Sequence, residues 1–134
     1  MASSNIDICN NYFSKHQYKK AYNCYLKFKD NDQAINNIAM MEYMGLGVDY
    51  KQSDAVKKLK NLVNKDTKYA PVYFNLAMIY FNGYYDEENK TVVVKRKLTK
   101  NLLKKAIKLH YKPAQQVYKK IYNEQNETNT SKKK

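Results

Sequence analysis

The chain has 134 residues, 43% of them hydrophobic and 13% aromatic, which is enough for one domain with a modest core and excludes a disordered chain. Only 3 Gly and 2 Pro are present, which argues against a many-turned β fold. The formal net charge of +13 rests almost entirely on lysine, with Arg96 the only arginine; base readout and bidentate phosphate clamps favour arginine, so the composition argues against a dedicated nucleic-acid reader.

The N-terminus, MASSNIDICNNYF, has neither a basic start nor a continuous apolar run and does not read as a signal peptide. No stretch reaches the roughly 18 apolar residues of a membrane span. The expected location is intracellular, in the cytoplasm. From Asn5 to Ser14, Ile6, Ile8, Cys9, Tyr12 and Phe13 fit one helix face. A polar turn, Lys15-His16-Gln17, precedes a second amphipathic helix that carries Tyr18, Ala21, Tyr22, Tyr25, Leu26 and Phe28 to about Lys29. Asp30-Asn31-Asp32 breaks the chain and supplies a cap for a third helix, about Gln33 to Met44, which Gly45-Leu46-Gly47 ends. A fourth helix starts near Ser53 or Asp54 and buries Ala55, Val56, Leu59, Leu62 and Val63. A fifth begins near Ala70 with Pro71 in its first turn and stops at Gly83.

A connector follows, with the acidic cluster Asp86, Glu87 and Glu88 and then the β-branched run Val92–Val94, which packs on the hairpin or forms a short extended piece. Helix resumes near Lys95 and is expected to bury Leu98, Leu102, Leu103, Ala106, Ile107 and Leu109. A last helix runs from Pro113 to about Tyr122. These elements make one helical-repeat domain over residues 1–123, and the polar, lysine-ended tail over 124–134 is expected to be disordered. Cys9 and Cys24 come to similar heights on the first two antiparallel helices. A disulfide is conceivable there, but with no secretion signal the expected state is two small buried thiols.

The third and fifth helices echo each other. Asn37, Ile38, Ala39, Met40 and Gly45 fall on Asn75, Leu76, Ala77, Met78 and Gly83 at an offset of 76 − 38 = 38 residues, a period that signals stacked helical hairpins. On NIAMMEYMGLGV (Asn37–Val48) with Ala55, NLAMIYFNG (Asn75–Gly83) and KKAIKLH (Lys104–His110), the chain resembles a Sel-one-like repeat protein, a subclass of the tetratricopeptide-repeat (TPR) superfamily. Residues 5–30, with Tyr12, Tyr18, Ala21 and Tyr25, look like a plain TPR unit. The sequence departs from the pattern at Glu42, where the family usually has Tyr, at the insertion over Tyr84–Lys97, and at Leu62 and Val63 in place of a small pair. The resemblance implies an all-α fold: an α-solenoid of about three antiparallel helix hairpins with a C-terminal capping helix. It also implies a non-enzymatic adaptor or scaffold for protein partners.

No catalytic, cofactor-binding or metal-ligating set emerges. His16 and His110 stand far apart without nearby Cys or paired acids, and the carboxylate run lacks the glycine of a calcium loop. No cofactor and no small-molecule substrate are expected. The candidate partner-binding residues are those the resemblance turns away from the repeat core: Met40, Tyr43, Phe74, Met78 and Phe81. They form either an adaptable apolar groove for a peptide or helix, or packing between adjacent hairpins. Lys57, Lys58, Lys60, Lys100, Lys104, Lys105 and Lys108 sit on the second helices of the hairpins. The alternative function is electrostatic binding of nucleic acid or an anionic membrane surface through such lysines.

Overall fold

The computed structural model describes the backbone of residues 3–123 and the side chains of 6–123; the expected C-terminal tail lies outside the described residues. Seven α-helices follow in order: α1 (Ser3–Ser14), α2 (Tyr18–Tyr25), α3 (Asp32–Met44), α4 (Gln52–Asn64), α5 (Pro71–Asn82), α6 (Thr99–Lys108) and α7 (Lys112–Tyr118). Between α5 and α6 stand two short strands, β1 (Tyr84–Asp86) and β2 (Thr91–Val93), and a 3-10 turn over Arg96–Leu98. A π-helical turn, Lys119–Asn123, extends α7.

Helices α1 and α2, α3 and α4, and α5 and α6 pair as three hairpins. Each hairpin leans on the next through α2–α3 and α4–α5, and α7 closes the end against α6. Three apolar clusters follow this order. Cys9, Ala21, Tyr25, Ala34, Ile38 and Met41 fill the joint between the first two hairpins. Ala39, Val56, Leu59, Leu62, Leu76 and Ile79 fill the next. Tyr73, Ala77, Leu103, Ala106 and Ala114 close the third hairpin against α7. Each large aliphatic side chain buried this way contributes about 1.5–3 kcal/mol, and the fully buried alanines let the helix axes approach.

The predicted turns hold the expected caps. The Asn31 side chain accepts the Ala34 N–H at 3.0 Å, capping α3, and Pro71 sits in the first turn of α5. Four helices end alike. The N–H of Gln17, Leu46, Thr67 and Tyr111 returns to the carbonyl of Tyr12, Met41, Leu62 and Ala106, at 2.9, 2.9, 3.1 and 3.1 Å. The residue before each donor is left-handed: His16 (φ 62°), Gly45 (71°), Asp66 (55°) and His110 (66°). Gly47, at φ 73°, is required for a second reason: a Cβ there would lie 2.5 Å from the carbonyl carbon and oxygen of Tyr18.

The structure corrects several expectations. Cys9 and Cys24 are joined by a disulfide, with Cα atoms 5.3 Å apart, instead of remaining thiols. The antiparallel fold of α1 on α2 places them face to face, and secretion-signal logic says nothing about such proximity. Helix α2 stops at Tyr25, short of Lys29, because tight turns take over: Lys27 and Phe28 donate to Cys24 and Tyr25. Leu98, expected to be buried, is 45% exposed, and Ile8, read on the same helix face as the buried Cys9, is 48% exposed. Leu98 lies in the 3-10 turn that enters α6, outside the helical phase that places Leu103 and Ala106. The β-branched run does form an extended piece: β2 pairs antiparallel with β1, Tyr84 opposite Val93, Tyr85 opposite Val92 and Asp86 opposite Thr91.

Candidate functional site

The two echoing helices occupy equivalent positions. Ile38 and Leu76, Ala39 and Ala77, Met41 and Ile79, and Glu42 and Tyr80 are all buried. Met40 and Met78, like Tyr43 and Phe81, are half-buried. Both helices end on a glycine with positive φ, Gly45 at 71° and Gly83 at 104°. A polar bond ties α3 to α5: Asn75 Nδ2 donates to Asn36 Oδ1 at 3.0 Å. A second crosses at their C-terminal ends, where the Tyr43 hydroxyl donates to the Gly83 carbonyl at 2.7 Å. Burial pushes the Tyr43 hydroxyl above the ordinary phenol range.

The five candidate residues are therefore on matched helices, but each has a different neighbourhood. Met40 and Tyr43 pack at the edge of the central cluster. Phe74 belongs to the terminal cluster and meets Tyr111 edge-on, with ring centroids 5.5 Å apart. Phe81 lies under the Arg96 guanidinium, 4.6 Å from its ring centre, and Arg96 Nε donates to the Phe81 carbonyl at 3.0 Å. Met78 is half-buried on the same face of α5, one turn from each phenylalanine. Sequence reasoning missed the covering partners Arg96 and Tyr111, which come from the insertion and from the α6–α7 turn. It also missed Asn36; the one available signal was a polar residue, aligned at the 38-residue offset with the apolar Phe74, inside the buried phase of α3.

Glu42, the departure from the family pattern, is 3% exposed and fully partnered. Lys58 Nζ lies 2.9 Å from one carboxylate oxygen, and the Tyr22 hydroxyl donates to the other at 2.9 Å. Burial, together with this hydrogen bond, pushes the Tyr22 hydroxyl up to about 12. One lysine of the basic surface is thus turned inward as a counter-ion, while Lys57, Lys60, Lys100, Lys104, Lys105 and Lys108 remain exposed.

Two residues of the acidic cluster, Asp86 and Glu87, have structural roles. Asp86 accepts from the N–H of Glu88 and Asn89 and from Asn89 Nδ2, shaping the β1–β2 turn, and the Asn89 bonds hold its carboxyl below the usual range. Glu87 reaches back to α4, whose N-cap position, Lys51, makes no side-chain cap bond. Its oxygens accept the N–H of Gln52 at 2.7 Å, the N–H of Ser53 at 3.1 Å and the Ser53 hydroxyl at 2.5 Å. Partial burial pushes the Glu87 carboxyl up, but the Ser53 and Gln52 bonds outweigh it and hold it below the usual range. His16 and His110 are exposed turn residues, and among the described residues no group of three His, Cys, Asp or Glu could hold a metal ion. No helix among them is long and apolar enough to cross a membrane.

Stacked antiparallel hairpins with matched faces and a closing helix define a short α-solenoid of the helical-repeat class. The fold is that of Sel1-like repeats. The crystal structure of a Sel1 repeat protein from Oxalobacter formigenes superposes with a TM-score of 0.66 at 18% sequence identity, covering 82% of this chain. The chain spans 41% of the length of that protein. No family model and no curated protein matches the sequence.

Proposed function

We propose that the protein is a non-enzymatic helical-repeat module that binds a protein segment, peptide or helix, across the face shared by α3 and α5, as an adaptor or scaffold. The observation that carries this reading is the repetition of half-buried, adaptable apolar side chains, Met40 with Tyr43 and Met78 with Phe81, at equivalent places on adjacent hairpins. Stacking gives such positions a fixed spacing, which a helix or an extended segment can read as successive anchors. Methionine and tyrosine suit that use: one is flexible and polarisable, the other couples a broad apolar body to a polar tip.

The test is calorimetry with a peptide selected against the protein from a random display library. Wild type should bind at one-to-one stoichiometry, and Phe81→Ser or Tyr43→Ser should weaken binding by roughly tenfold or more while thermal melts show each variant folded. Affinity unchanged in both folded variants removes this face from the function.

The exposed lysines of α4 and α6 favour a second reading, electrostatic attachment to nucleic acid or an anionic membrane surface. Titrating RNA, DNA and acidic vesicles against salt separates the two, because this mode weakens steeply with ionic strength.

A further inference from the structure

We propose that the outer edge of β2 is a strand-addition site for an extended peptide that alternates apolar and acidic residues. The geometry follows from the register. Tyr85 pairs with Val92, and the Tyr85 N–H points away from β2, since it donates to Gln52 Oε1 at 2.7 Å. Opposed residues of an antiparallel pair share hydrogen-bonding direction, so the Val92 N–H and C=O also point outward, on the side away from β1. The β1 edge is therefore already closed by α4, whereas the β2 edge offers its main-chain donor and acceptor to a partner.

Side chains beside that edge define what fits. Val92 is 66% exposed and Val94 50% exposed, and Tyr85 opposite Val92 is exposed on the same side. Lys95, Arg96 and Lys97 follow immediately, and residues 91–98 contain no acid. With Val94 and Leu98 they border an open recess of about 640 Å³. Apolar residues of an added strand would meet Val92 and Val94, and its carboxylates the three cations, which also steer the encounter. A lipid surface is disfavoured because it would leave the outward main-chain groups unsatisfied. This surface adjoins the α3–α5 face at Arg96, which lies over Phe81, but its main-chain edge at Val92 belongs to β2 alone.

The probe is a short synthetic peptide alternating valine and glutamate, titrated into isotopically labelled protein. Saturable binding is expected, with the Val92 and Val94 amide signals shifting and gaining exchange protection. Val92→Pro removes the outward N–H without taking a bond from the β1–β2 ladder and should weaken binding roughly tenfold or more. Lys97→Glu, which leaves the strand intact, should weaken it several-fold in a salt-dependent way, and Met40→Ala, on the α3–α5 face and packed against the central cluster, should not affect it. The proposal is overturned if the peptide fails to saturate the protein or if Val92→Pro and Lys97→Glu both bind like wild type. It is equally overturned if acidic vesicles compete the peptide away, or if the edge is already filled by a second copy in a dimer that Val92→Pro dissolves.

Discussion

At the residue scale, two carboxylates, Glu42 and Glu87, are fixed structural parts. The Glu42 side chain is 4% exposed beside a Lys58 that is 36% exposed. Lys58→Ala leaves the carboxylate with Tyr22 alone. The expected loss is about 1–2 kcal/mol in urea unfolding, between the surface and buried limits because Lys58 is partly solvated. Glu87 closes the start of α4, where its charge also suits the helix dipole, so Glu87→Gln should cost about 0.5–1 kcal/mol at neutral pH. The sign with pH follows from its depressed folded value: its contribution is present above the unfolded carboxylate value and is lost as pH falls through the folded one. Wild type should therefore lose more stability than Glu87→Gln between about pH 5 and pH 3, as melting at a series of pH values will show.

At the element scale, the N-terminal hairpin is the one closed covalently. The Cys9–Cys24 bond encloses a sequence separation of 15, and removing such a loop constraint costs about 3 kcal/mol. Denaturation with and without a dithiol reductant, checked by Cys9→Ser with Cys24→Ser, should show that loss. The left-handed turn residues make the opposite prediction. His110 is exposed at φ 66°, so His110→Gly should raise stability by up to about 1 kcal/mol, whereas Gly47→Ala should lower it through its contact with the Tyr18 backbone. The helices themselves were legible from spacing: Asn31, Pro71, Gly45 and Gly83 punctuate α3 and α5 where the pattern placed them. The proximity of Cys9 and Cys24 was legible too, but their bond was not, since the missing secretion signal argued for thiols and carries no information about that pairing. Neither was the cap of Glu87 on Ser53, 34 residues away, because local propensity carries no record of a tertiary partner.

At the scale of the whole molecule, the 38-residue offset foretold both the stacking and the matched burial of α3 and α5. What covers the candidate face, Arg96 over Phe81 and Tyr111 against Phe74, comes from irregular segments without a repeat to read. The stacked cores also hold many tyrosines whose hydroxyls burial pushes up, among them Tyr22, Tyr25, Tyr73 and Tyr80. A raised folded value stabilises below the unfolded value and is lost as pH rises through the folded one. Stability should thus fall between about pH 10, the free phenol value, and about 12, the Tyr22 value. Tyrosinate absorbance should rise cooperatively with unfolding.

The matched methionines offer the most direct reading of the binding face. With methyl-labelled methionine, the selected peptide should shift the Met40 and Met78 signals together and leave Met41, buried in the joint between the first two hairpins, unmoved. Saturation of the peptide site with Met40 and Met78 both unperturbed would contradict the account.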